Sequence, residues 1–183
     1  MNLRWMKWTG IMSLFLLMFN RASAQQFHQL TVNDFGGTPR VDARGVVAYT
    51  NCTIDFKYQA SRQDGGYMLN AFVHLALNTN KSWLDRSRIT SSQVLAEVLK
   101  HEQGHYTIAY LEQQEVLREI GKTRFSRNYQ YEAMNLFNRI DAKYKQMNTD
   151  YDDDTQHMTN RVQQHSWDVY FQKQLQFMPE EGL

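Results

Sequence analysis

Ser91-Ser92-Gln93-Val94-Leu95-Ala96-Glu97-Val98-Leu99-Lys100-His101-Glu102-Gln103-Gly104-His105-Tyr106-Thr107-Ile108-Ala109 is the stretch on which the fold turns. Val94, Val98, His101, His105, Ile108 and Glu112 fall on one helical stripe, with Leu95, Leu99 and Ala109 beside it. Ser91 or Ser92 can cap such a helix, and Gly121 is a natural stop. Within it, His101-Glu102-Gln103-Gly104-His105 fits the H-E-x-x-H pattern. Residues four apart on a helix sit one above the other, so both imidazoles can reach one ion. Glu102 lies one position round, where it cannot easily ligate that ion but can hold a water beside it. Gly104 leaves room for a close approach of chain or substrate.

Upstream of this helix the period is that of strands. Val46, Ala48, Thr50, Cys52, Ile54, Phe56 and Tyr58 occupy alternate positions, and so do Tyr67, Leu69, Ala71, Val73, Leu75 and Leu77. Asp64-Gly65-Gly66 reads as the turn between two neighbouring antiparallel strands. A short strand is expected over Gln26 to Val32, with Phe35-Gly36-Gly37-Thr38-Pro39 as the loop after it. Downstream, a second helix is expected from about Asn128 to Met147, with Tyr131, Met134, Phe137, Ile140 and Tyr144 inward. Asp150 to Thr155 reads as a polar break, and a last helix is expected from about Thr159 to Phe177. Trp83 and Trp167 are expected in the core. The chain of 183 residues suits one α+β domain, with N-terminal antiparallel strands followed by the H-E-x-x-H helix and two further helices.

Residues 1–24 stand apart from that domain, which takes up 25–183. Arg4 and Lys7 precede the apolar run Trp8 to Phe19, and Ala22-Ser23-Ala24 gives the small-x-small pattern of signal-peptide cleavage. The run is short for a permanent span, and Gln25 offers no lipid-anchored end. An exported chain without a stable membrane span is therefore expected, in the periplasm or outside the cell. Loss of Arg4, Lys7 and Arg21 takes the formal charge from +1 to −2. That balance gives no electrostatic reason to expect nucleic acid or an anionic membrane surface as partner. Cys52 is the sole cysteine, which excludes an intrachain disulfide and leaves any metal site to His and carboxylates. Within an alternating pattern, Cys52 reads as a small hydrophobe rather than a nucleophile.

A catalytic zinc ion normally takes a third protein ligand. A third His six residues after the second is excluded because position 111 is Leu. Glu112 lies two turns beyond His105, about 10 Å along the axis, too far for the same ion. Glu132 on the second helix, the Asp152 to Asp154 cluster and His157 in the polar break remain as candidates, and spacing alone does not separate Glu132 from His157. Asp152-Asp153-Asp154 lacks the alternate ligands and glycine of an EF-hand loop, so a solvated acidic turn is the simpler expectation.

Phe35-Gly36-Gly37-Thr38-Pro39, Ser82-Trp83, Leu99 to Tyr106, and Tyr151-Asp152-x-x-Thr155-x-His157 together resemble the family of predicted secreted zinc-dependent proteases of bacteria, long catalogued as a domain of unknown function. The resemblance covers nearly the whole chain after residue 24. It implies a zincin-like fold and Zn2+ held by His101, His105 and His157, with Asp152 or Asp153 as a partner for an imidazole. That family usually has Gly after the last His, where this chain has Met158.

The expected chemistry is hydrolysis of a peptide or amide bond in a peptide or protein substrate. Zinc would acidify a water and polarise the carbonyl, and Glu102 would take the proton and return it to the departing amine. Tyr106, Tyr151 and His165 are candidate donors to the developing oxyanion. By analogy with zincins, Tyr67 to Leu77 is the candidate edge for pairing with substrate. His28 and His74 read as surface residues. Two rivals remain: a hydrolase of a non-protein amide such as cell-wall peptide, and an envelope binding or assembly module with an inert metal site.

Overall fold

The computed structural model describes residues 26–40 and 45–177. The expected signal peptide, residues 1–24, lies outside the described residues. The described chain is α+β, with antiparallel strands preceding three helices: β1 (Ala48–Tyr49), β2 (Cys52–Gln63), β3 (Gly66–Leu77), β4 (Trp83–Leu84), α1 (Ser92–Lys122), α2 (Tyr129–Thr155) and α3 (Arg161–Gln176).

β2 and β3 form a long antiparallel hairpin running in register from Cys52 opposite Leu77 to Gln63 opposite Gly66. Its two-residue loop places both Asp64 and Gly65 at positive φ, 46° and 83°. An Asp-Gly pair meets that demand because Gly carries no steric penalty there and Asp carries a smaller one than most residues. The alternation from Val46 is not one strand. Ala48 and Tyr49 pair instead with Leu84 and Trp83, and β2 begins only at Cys52. An alternating pattern records which face is buried, not which partner supplies the ladder, so it could not show this break.

Gln26 to Val32 forms no strand. Its backbone is held by side chains: Gln103 accepts from Leu30 N at 2.7 Å and donates to the His28 carbonyl at 3.1 Å. A 3-10 turn, Val32–Asp34, follows under a capping box between Thr31 and Asp34. The loop after it is anchored at Gly37, whose N–H donates to the Ser82 carbonyl at 2.8 Å. A Cβ at Gly37 would come within 2.9 Å of the Asn80 and Ser82 carbonyl oxygens, so this approach needs glycine.

α1 spans both halves of the core. Towards its start, Val98 and Tyr106 pack with Leu30, Phe35, Ala48, Leu75 and Leu84. Towards its end, Ile108, Leu111, Val116 and Ile120 pack with Leu69 and Ala71 of β3, Ile140 and Tyr144 of α2, and Phe171 of α3. Ser91 caps it by accepting from Val94 N, and the helix continues one residue past Gly121. Trp83 is buried, and Trp167 is half-buried against the core.

The expected break at Asp150 to Thr155 is absent, and α2 runs unbroken to Thr155. Tyr151 and Thr155 are fully buried and extend the inward stripe of Ile140 and Tyr144. At the other end Tyr131 and Met134 face outward, 71% and 44% exposed, while Ala133 points inward. The stripe is rotated from the one expected because its C-terminal members sit among acidic residues that masked the period. The end of α2 turns through Gln156, His157 and Met158, all left-handed with φ of 49°, 49° and 76°. Met158 thus stands in the conformation that glycine adopts most readily.

Tyr151 lies across α1 at Gly104. A Cβ on Gly104 would overlap the Tyr151 ring and hydroxyl, so the close approach expected at this glycine is made by the chain itself. Gly104→Ala is expected to destabilise the protein by about 2–3 kcal/mol through overpacking, read as a fall in Tm of order 5–10 °C.

Candidate functional site

A cleft of about 550 Å³ runs along α1. Its floor carries His101, Glu102, His105, Ala109 and Glu112. One wall is the stretch Val46 to Ile54, and the other is the α2 stripe Asp141, Lys145, Asn148 and Asp152, with His157 and Met158 at its end. Those α2 positions are spaced four, three and four apart, so one helical face supplies them all.

Four donors meet in the cleft. Nε2 of His101 and Nε2 of His105 are 3.3 Å apart. Asp152 Oδ1 lies 3.2 Å from the first, 3.1 Å from the second and 3.3 Å from His157 Nδ1. Metal–donor bonds of about 2.0–2.1 Å in tetrahedral geometry put neighbouring donors about 3.3–3.4 Å apart, so the spacings among His101, His105 and Asp152 fit one small cation, and His157 offers a nitrogen within 4.8 Å of His101. The chemistry of the donors agrees. His101 Nδ1 lies 3.1 Å from Gln164 Oε1, and His105 Nδ1 lies 2.7 Å from Asn148 Oδ1. An amide oxygen only accepts, so Nδ1 of each imidazole carries a proton, which leaves Nε2 as the nitrogen that a cation would take. Asp152 Oδ1 is buried and accepts no hydrogen bond of good geometry. A buried carboxylate oxygen so placed needs a positive charge beside it, supplied either by an imidazolium or by a cation that takes the place of its proton.

The electrostatics of the bare cluster show the same demand. Burial alone would raise the Asp152 pKa, but the imidazoles of His101 and His105 and the charges of His105 and His157 hold it well below the usual carboxylate range. Burial would lower the His105 pKa, yet Asp152, the charge of Glu102 and Asn148 together push it up to about 9.

Glu102 is buried, and its carboxylate accepts from Thr50 Oγ1 at 2.6 Å. Its oxygen and the ligating atoms of His101 and His105 lie within 4.8 Å of one another. One water can bridge a gap of that size. Cys52 also lines the cleft, but burial, aided by the charge of Glu102, pushes its thiol up to about 12. It remains a protonated hydrophobe.

The structure brings His101, Glu102, His105, Asp152 and His157 together. Asp153 is exposed and is not part of the cluster. It does not bring Glu132 there. That side chain accepts from Ser126 N at 2.9 Å at the start of α2, about 30 Å by helical rise from Asp152. Tyr151 is fully buried beneath the His101 ring, with centroids 4.8 Å apart, and its hydroxyl donates to the His101 carbonyl at 3.0 Å. Tyr106 is buried against Phe27 and His28, and His165 is exposed on α3. None of these three lines the cleft. His74 is exposed, and so is His28, which pairs with Asp34 at 3.0 Å.

Thr50, Asn148 and Gln164 are the supporting residues that sequence reasoning missed. Asn148 carried one usable signal, since it lies four residues before Asp152 on a helix. Thr50 and Gln164 are common residue types whose roles arise only from tertiary contact. Asn148→Ala removes the acceptor that orients His105 and is expected to weaken any metal binding by the cluster about 10–100-fold. Competition titration with a chromogenic chelator measures this directly.

No curated protein and no solved structure matches the chain. A protein-family model does, over residues 22–158. The match holds all four donors of the cluster together with Glu102, and it ends where α3, which supplies Gln164, has yet to begin. The chain belongs to the family described as "Bacterial protein of unknown function (DUF922)".

Proposed function

We propose that the protein is an exported zinc-dependent peptidase of zincin type, in which His101, His105 and His157 hold Zn2+ and Glu102 is the general base. The observation that carries it is the meeting of the two Nε2 atoms and Asp152 Oδ1 at 3.1–3.3 Å beside a buried carboxylate in an open cleft. Bound zinc supplies a Lewis acid that lowers the pKa of water and polarises a carbonyl.

The chain's own residues do the rest. Asn148 and Gln164 keep the imidazoles in the ligating tautomer. Asp152 places a negative charge on the cluster and offsets that of the cation. Thr50 holds one Glu102 oxygen, which leaves the other to take a proton from water and pass it to the departing amine. An extended peptide fits against Cys52 to Ile54, where β2 lines the cleft and has no strand on that side among the described residues. Tyr67 to Leu77 does not line the cleft, so the earlier candidate edge is replaced by this one. The signal-like residues 1–24 support export, and no helix among the described residues is long and apolar enough to cross a membrane.

The convergence of four donors rather than three favours a second reading, a closed structural zinc site. The two differ at Glu102. Under the peptidase reading, Glu102→Gln keeps its zinc and loses about 10²–10⁴-fold in kcat on a peptide library, and Thr50→Val loses roughly tenfold while Thr50→Ser does not. Under the structural reading the wild type cleaves nothing, and chelation lowers Tm with no activity to lose.

A further inference from the structure

The far end of the cleft holds charge that the proposed chemistry does not use. Glu112 lies two turns beyond His105 on α1, about 10 Å along the axis. It lines the same cleft, is only 8% exposed, and its Oε1 has no hydrogen-bond partner among the described residues. Across from it on α2, Asp141 also lines the cleft and pairs with Lys145 at 2.7 Å. Lys145 is mostly exposed. Two carboxyl groups share one ammonium, so Glu112 in its ionised form lacks a counter-ion of its own. Burial first, then the charge of Asp141, push the Glu112 carboxyl up to about 7. The ionised form of a carboxyl held this way is unfavourable, and an incoming cation relieves it. Tyr144 forms part of the surrounding wall, and the stretch between Glu112 and the metal cluster is apolar, with Ile108 and Ala109.

We infer that Glu112 and Asp141 form a subsite that takes a primary ammonium or guanidinium group of the substrate. This rests on the peptidase reading for its place in a reaction, though not for its binding chemistry. Two sources could supply the group. About 10 Å is the reach of three extended residues, which suits a free chain amino terminus, or of fewer residues and a stretched lysine or arginine side chain.

The test is binding without turnover. Fluorescence anisotropy of dye-labelled Ala/Gly hexapeptides is measured on the zinc-loaded protein carrying Glu102→Gln. One pool has blocked termini and a single Lys scanned through every position. A second has Met at the same positions, and a third has a free amino terminus and no Lys. The expected result is binding of the Lys or the free-terminus pool about tenfold tighter than the Met pool. Which of the two is tighter identifies the source. Adding Glu112→Gln should bring the ratio to within roughly twofold, with zinc content unchanged. Asp141→Asn, at a more exposed position, should also lower it by freeing Lys145 to pair with Glu112. Equal binding of all pools, a preference that survives both substitutions, or no binding near millimolar concentration overturns the subsite. A protein that prefers the cationic pool yet hydrolyses nothing retains the subsite and refutes the peptidase. One that hydrolyses peptides without that preference does the reverse.

Discussion

A buried carboxylate oxygen with no hydrogen-bond donor, Asp152 Oδ1, is the constraint around which the rest of the molecule is arranged. It stands 3.1–3.3 Å from imidazole nitrogens of His101, His105 and His157. An ionised group placed so needs positive charge beside it, from an imidazolium or from a bound cation. Each neighbouring element serves to keep it there. α2 stays helical through an acidic stretch because Tyr151 and Thr155 anchor it, and Tyr151 fits only because position 104 lacks a Cβ. α3 contributes Gln164, which contacts both His101 and the Tyr151 hydroxyl. A left-handed turn of three consecutive non-glycine residues then sets His157 at the rim.

The supports of the cluster and of Glu102 come from different parts of the fold. Helices α2 and α3 orient the imidazoles, whereas the segment between β1 and β2 holds Glu102 through Thr50. The base can therefore be perturbed without disturbing the donors, which makes its role separable by mutation. The cleft between these supports extends well past the cluster to Glu112, so the same α1 stripe that presents the imidazoles also presents an acidic end.

Much of this was legible in the sequence. The helical stripe through His101 and His105 identified α1, and Asp64-Gly65 identified the hairpin, because both are set by local periodicity and turn stereochemistry. The end of α2 was not legible. Asp150 to Thr155 has the composition of a loop, and only the burial of Tyr151 and Thr155 against α1 makes it helix. With that helix hidden, Asp152 was one undistinguished member of an acidic cluster, read as a solvated turn, a ligand candidate or a partner of an imidazole. Glu132 survived as a candidate because sequence spacing does not report that it is tied to Ser126 at the distant end of the same helix. The β1 break and the role of Thr50 were hidden for a related reason: strand partners and long-range hydrogen bonds leave no trace in periodicity.

Elemental analysis of purified residues 25–183 after dialysis tests the central claim most directly, with His157→Ala and Asp152→Asn measured beside the wild type. The account predicts one zinc per wild-type chain and clear loss in both variants. A wild-type protein that holds no zinc even after refolding with the metal would contradict it, and the convergence of donors would then need an explanation other than a cation.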